Sequence, residues 1–195
     1  MSGTAFAKDE RRARARGATR AAILEAARRV AARDGARNLS LRGVAAEAGF
    51  APAALYGYFE SKDELLLALA AEDLSALSRA MREAVAGDTG RGKLAAAATA
   101  ALSLLSDNET FAAAQGALPA TGEGERLFNG RMIAALKILS EATGQPAERR
   151  ESQCDVVLIA AALSGLALLA RSGRLAALGF TPEEILTRLD AHFGA

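Results

Sequence analysis

The chain has 195 residues, 51% of them apolar, and a formal net charge of +1. That is enough to bury a substantial core in one large domain or in a small domain joined to a larger one. The single Cys, Cys154, excludes an internal disulfide and fits a reducing, cytoplasmic setting. With only one His beside it, the chain has no His/Cys metal site of its own, and the basic N-terminus lacks the apolar run of a signal peptide.

The charge is uneven. Residues 1–62 hold 12 Lys/Arg against 6 Asp/Glu, and the remainder is net acidic. Such a split suggests a basic head for a polyanion on a body with another task. Residues 1–17, with KDERRARAR at 8–16, show no apolar stripe and are expected to form a flexible basic arm or a frayed helix start. From Thr19 a helical pattern begins, with Ile23, Ala26, Ala27 and Val30 on one face and Gly35 as its stop. LRGVAAEAG follows Ser40 and ends at Gly49. PAALYGYF then offers a third short helix with Pro52 at a first helical position.

A helix of about eight residues, a glycine turn and a third helix is the spacing of a helix-turn-helix, here within residues 18–64. Val44, Ala45 and Ala48 would pack the second helix on the first, and Phe50 and Leu55 would seat the third. Arg42 and Lys62 fall in the first turns of their helices, where a cation opposes the helix dipole. Neither position needs a base for stability, and a phosphate or guanine partner would turn that cost into a gain.

Residues 65–195 read as a separate helical body. Ser61-Lys62-Asp63-Glu64 predicts a capping box in which the serine caps the Glu64 amide and Glu64 reaches back to Ser61. The helix it opens carries Leu67, Ala70, Leu74, Leu77, Met81 and Ala84 and is long enough to join head to body. Further helices are expected at about 91–107, 109–117, 124–143, 147–172 and 182–193, the last opened by a second capping box, Thr181-Pro182-Glu183-Glu184. Pro119, Gly122 and Gly124 mark the loosest connection. No run alternates with period two long enough for a strand, so the expected fold is all-α.

Helix 147–172 is apolar nearly all round. Its longest uncharged stretch, Val156–Ala170, falls short of the ~20 residues of a membrane span, so burial on both sides is expected and no membrane partner. Catalysis has no support: His192 and Cys154 stand alone, Gly122-Glu-Gly124 lacks the third glycine and the strand of a dinucleotide loop, and no Ser sits in a nucleophile elbow. No cofactor and no metal are expected.

The segment from Ala18 to Leu67, centred on GVAAEAGFAPAALYGYFESKDELL, resembles the TetR/AcrR family of bacterial transcriptional regulators. The aromatic pair of LYGYF followed by SKDELL is the specific part. The resemblance covers roughly the first third of the chain. It implies a homodimer on a palindromic double-stranded DNA operator, released by a small-molecule effector, with the last two long helices pairing across the dimer axis. Carried over by position, Ser40 would cap the second helix and donate to the DNA backbone, and Arg42 would reach a base or phosphate. Pro52, Ala53 and Ala54 would face bases, Tyr56 would bond a phosphate, Tyr58 would lie over base or backbone, and Lys62 would clamp a phosphate.

The sequence departs from the family pattern at Ala51, Ala54 and Gly57, so the reading surface is poor in polar side chains. Phe111, Gln115, Phe128, Met132 and Leu136 are expected to line an effector pocket of apolar or weakly polar character. Leu163, Leu166, Ile185 and Leu189 are expected at the dimer interface. A ligand-independent architectural DNA binder and a helical adaptor with no nucleic-acid role remain as alternative readings.

Overall fold

The computed structural model describes residues 3–88, 90, 92–107, 109–115 and 122–194, and these form an all-helical fold. In chain order the elements are α1 (Gly3–Asp34), a 3-10 turn (Ala36–Asn38), α2 (Leu41–Ala48), α3 (Pro52–Leu55), α4 (Lys62–Ala86) and α5 (Lys93–Asp107). α6 (Glu109–Gln115), α7 (Glu123–Thr143), α8 (Arg150–Arg171), α9 (Arg174–Ala177) and α10 (Pro182–Phe193) complete it.

α1 differs from expectation, running back through the arm to Gly3 as one helix of 32 residues. Ala and Arg are both good helix formers, and Arg14 pairs with Glu10 one turn away at 3.4 Å. α3 is shorter than expected. Ala51 gives it no side-chain cap and Gly57 disfavours a fifth and sixth residue, so Tyr56–Tyr58 continue only as a turn. α9 had no counterpart in the periodicity, since four residues carry too little pattern to read.

Two apolar clusters share α4. One holds Ile23, Ala27, Val44, Leu55 and Phe59 with Leu65, Leu66 and Leu69. The other holds Leu67, Ala70, Leu74, Leu77 and Met81 with residues of α5, α7, α8 and α10. α4 is therefore a helix with two working faces, one in each cluster.

Between α2 and α3, Gly49 sits at φ 74°, a left-handed conformation open mainly to glycine. The Phe50 amide then donates to the Ala45 carbonyl at 2.9 Å, which closes the helix end and swings Phe50 onto the head core. Ser61 Oγ accepts from the Glu64 amide at 3.0 Å as expected, but the Glu64 carboxylate reaches one residue further back, to the Glu60 amide at 2.6 Å. The second capping box, at Thr181 and Glu184, is complete.

Gly122 and Gly124 are packing glycines and not a loose connection; Pro119 lies outside the described residues. A Cβ at Gly124 would stand 2.6 Å from the Glu64 carbonyl oxygen, and one at Gly122 would stand 2.7 Å from Glu64 Oε1. Their bare backbones let the start of α7 close onto the start of α4, and α4 against α7 is the most extensive helix pairing in the fold.

Candidate nucleic-acid interface and regulatory cavity

The head presents one polar edge. Ser40 Oγ accepts from the Gly43 amide at 3.1 Å and caps α2, which leaves Arg42 exposed on its first turn. Arg42 makes no ion pair or side-chain hydrogen bond among the described residues. Pro52, Ala53, Ala54 and Tyr56 are all exposed, while Leu55 between them is fully buried and fixes the helix to the core. Tyr58 is half-buried against the head core, with the Arg16 guanidinium 4.9 Å from its ring centre.

Lys62 has a structural partner that the sequence did not show: Nζ donates to the Arg37 carbonyl at 2.5 Å, tying the start of α4 to the 3-10 turn. The Lys62 charge therefore serves a local purpose, and that of Arg42 has none among the described residues.

Two further fastenings were not legible from spacing. Arg29 Nε and Arg33 Nη1, on α1, donate to the two oxygens of Glu47 on α2 at 2.8 and 3.0 Å. These hydrogen bonds hold the Glu47 carboxyl below its usual pKa. Arg28, also on α1, donates to Asp73 at 2.5 Å and to Glu72 at 2.9 Å on α4. Burial disfavours the Arg28 charge, yet the hydrogen bonds to Glu72 and Asp73 outweigh it and raise its pKa. The other oxygen of Asp73 accepts from Thr110 Oγ1, so one carboxylate joins α1, α4 and α6.

Next to Thr110, Phe111 lines a cavity of about 480 Å³ among α4, α5, α6, α7 and α8. Met132 and Leu136 line it, together with Leu77, Leu105 and Ala160. Phe128 does not. Its ring centre lies 6.4 Å from that of Phe111. The side chain of Gln115 lies outside the described residues. Ser164 supplies the lining's one hydroxyl, already donated to the Ala160 carbonyl at 2.9 Å. The walls can hold an apolar molecule but offer no charge to grip an ionic one.

The expected interface residues are corrected. Leu163, Leu166 and Leu189 are buried in the chain's own core, with Leu163 also lining the cavity, and Ile185 is partly buried against that core. The α8 residues that do face outward are Val157, Leu158, Leu168 and Leu169, with Leu178 and Phe180 beyond it. A helix apolar all round shows no stripe to the eye, so periodicity could not say which side meets the core. By length and composition α8 is also apolar enough to cross a membrane. Its inner side, Val156, Ile159, Leu163 and Leu166, nevertheless packs on protein.

Residues 23–69 match the family model for bacterial regulatory proteins of the tetR family. The head is that of a tetR-family regulatory protein. Over 65 residues, 33% of this chain and 34% of the relative, it is 45% identical to the HTH-type nicotine-responsive transcriptional repressor HdnoR of Paenarthrobacter nicotinovorans. The match thus spans about a third of that repressor's length.

Likeness of fold to solved structures extends over the body as well. A protein of unknown function from Rhodococcus sp. RHA1 superposes with a TM-score of 0.67 at 28% identity, covering 90% of this chain and 93% of its own. The transcriptional regulator FadR from Bacillus subtilis, solved with stearoyl-CoA, does so with a TM-score of 0.61 at 19% identity, covering 89% and 97%. The likeness to FadR is one of fold. Among the described residues no group of His, Cys, Asp and Glu could hold a metal ion.

Proposed function

We propose that this TetR-family chain is a cytoplasmic transcriptional repressor that binds a palindromic DNA operator as a homodimer and leaves it on taking up an apolar or weakly polar small molecule. The observation that carries the DNA reading is the unpaired, exposed Arg42 on the first turn of α2, beside the exposed Ala53, Ala54 and Tyr56 of α3. A helix start already favours anions, and a cation there gains energy only when a phosphate or a base edge meets it. Ala53 and Ala54 suit thymine methyl groups.

The cavity supports the effector, and counts against a ligand-independent architectural binder. HdnoR responds to nicotine, and FadR was solved with stearoyl-CoA, whose acyl chain is long and apolar. Phe111 and Thr110 are neighbours on α6, so an occupant that displaces Phe111 also pulls on Asp73 and, through Arg28, on α1. The bare face of α8 supports the dimer. Val157 belongs both to that face and to the cavity lining, so a second copy seated there would also close the cavity.

The test is a salt titration of binding to duplex DNA, followed by Arg42→Ala and Tyr56→Phe. Binding should weaken steeply with salt. Arg42→Ala should lower affinity for a selected operator by about 1–3 kcal/mol more than for random duplex, and Tyr56→Phe should weaken both alike. A salt slope near zero would leave the helical adaptor as the reading.

A further inference from the structure

Lys8, Arg12, Arg16 and Arg20 follow one another at intervals of four residues on a single continuous helix, and so form one ridge along α1. The last two have partners in the head. The Arg20 guanidinium lies 5.0 Å from the centre of the Phe59 ring. Arg16 donates to the Gly57 carbonyl at 2.8 Å and lies over Tyr58. Both contacts are with the turn that follows α3. The ridge therefore runs out past the DNA-facing end of the head, and its first two members lie beyond the protein that receives the others.

Lys8 and Arg12 are exposed and make no ion pair among the described residues. Glu10 is engaged with Arg14, off the ridge. Left to itself this arrangement is unfavourable. Like charges four apart repel along a helix. A row of phosphates would turn that repulsion into attraction. From Arg16 back to Gly3 the helix extends roughly 20 Å, a reach of several phosphate spacings along a duplex.

The geometry points to the N-terminal extension of α1 as a second DNA contact, in which Lys8 and Arg12 bind backbone phosphates of the duplex flanking the site that α3 faces. This rests on the DNA reading above and adds a surface to it. Tyr58 and Gly57 lie between the two surfaces, so Arg16 is the positioning residue that fixes the angle of the extension relative to α3.

The experiment compares three forms of the full chain on a 40-base-pair duplex of random sequence, by fluorescence anisotropy across a range of NaCl concentrations. They are the unaltered protein, a Lys8→Ala/Arg12→Ala double variant, and an Arg11→Ala/Arg14→Ala double variant that removes the same charge off the ridge. Each form is checked for unchanged circular dichroism. The ridge variant should lose about two from the log–log salt slope per bound chain, at roughly 0.9 per phosphate released. The off-ridge variant should lose less than half of that. Equal losses from the two variants, or none from the ridge variant, overturn the inference and leave the DNA reading in place. No binding by the unaltered protein overturns the DNA reading itself.

Discussion

The head closes its core with its own side chains, with Ile23, Leu55 and Phe59 fully buried, whereas the body keeps a hollow of about 480 Å³ and leaves one face of α8 bare. The head is also fastened by charge. Arg29 and Arg33 clamp Glu47, Lys62 holds the Arg37 carbonyl, and Arg28 holds Asp73. The body is joined chiefly by apolar contact and helix caps. A rigid head suits a part that must keep its side chains in register on a surface it meets from outside. An unfilled body suits a part whose packing is completed by something else, because interior voids forgo contacts that an occupant can supply.

The same kind of truncation should therefore have unequal effects in the two regions. Phe59→Ala removes a fully buried ring and should destabilise the protein by about 3–5 kcal/mol. Leu136→Ala removes a partly buried side chain from the wall of a space that is already empty, and should cost well under half as much. Thermal and urea unfolding of the two variants decide the matter. Equal losses would mean that the hollow is not a feature of the protein in solution.

The two sides of α8 give the next contrast. Leu158 is 57% exposed and Leu166 is 5% exposed, eight residues apart on one helix. Leu158→Arg should leave the monomer folded and weaken self-association by several kcal/mol, since it would bury an unpaired charge against the partner. Leu166→Arg should instead unfold the body. Sedimentation and circular dichroism separate the outcomes, and a Leu158→Arg protein that stays a stable dimer would remove α8's outer face from the interface.

The fold class, the order of the long helices and the seating of α2 and α3 were legible, because caps, Gly49 and the buried positions Ile23, Val44 and Leu55 are local signals. Two kinds of feature were not. The Arg28–Asp73–Thr110 and Glu47 networks join residues far apart in sequence, which no spacing rule links. The orientation of α8 is hidden by its evenly apolar composition, so the pattern assigns Leu163 and Leu166 to the dimer interface although they pack in the chain's own core. Of the site, exposure at Arg42, Ala53, Ala54 and Tyr56 could be anticipated from the helix-turn-helix pattern. The anchoring of Lys62 on a carbonyl could not.

The smallest expected effect contrasts the two regions through acids of opposite surroundings. Both Glu47 in the head and Glu184 in the body have their pKa lowered from an ordinary value of 4.5. For Glu47 the cause is hydrogen bonding to Arg29 and then Arg33; for Glu184 it is the Thr181 amide and then the Thr181 hydroxyl. A carboxylate held below its unfolded value adds stability that is complete above that value and is lost as pH falls through the folded one. Replacing either acid by Gln should therefore lower the unfolding midpoint at pH 6, and the gap to the unaltered protein should close as pH falls below about 4.5. Salt then distinguishes the pair. The cationic partners of Glu47 are exposed and subject to screening, while those of Glu184 are neutral. Raising NaCl at pH 6 should shrink the effect of Glu47→Gln and leave that of Glu184→Gln nearly unchanged. A salt-independent Glu47→Gln would show that its clamp acts through geometry and not through charge.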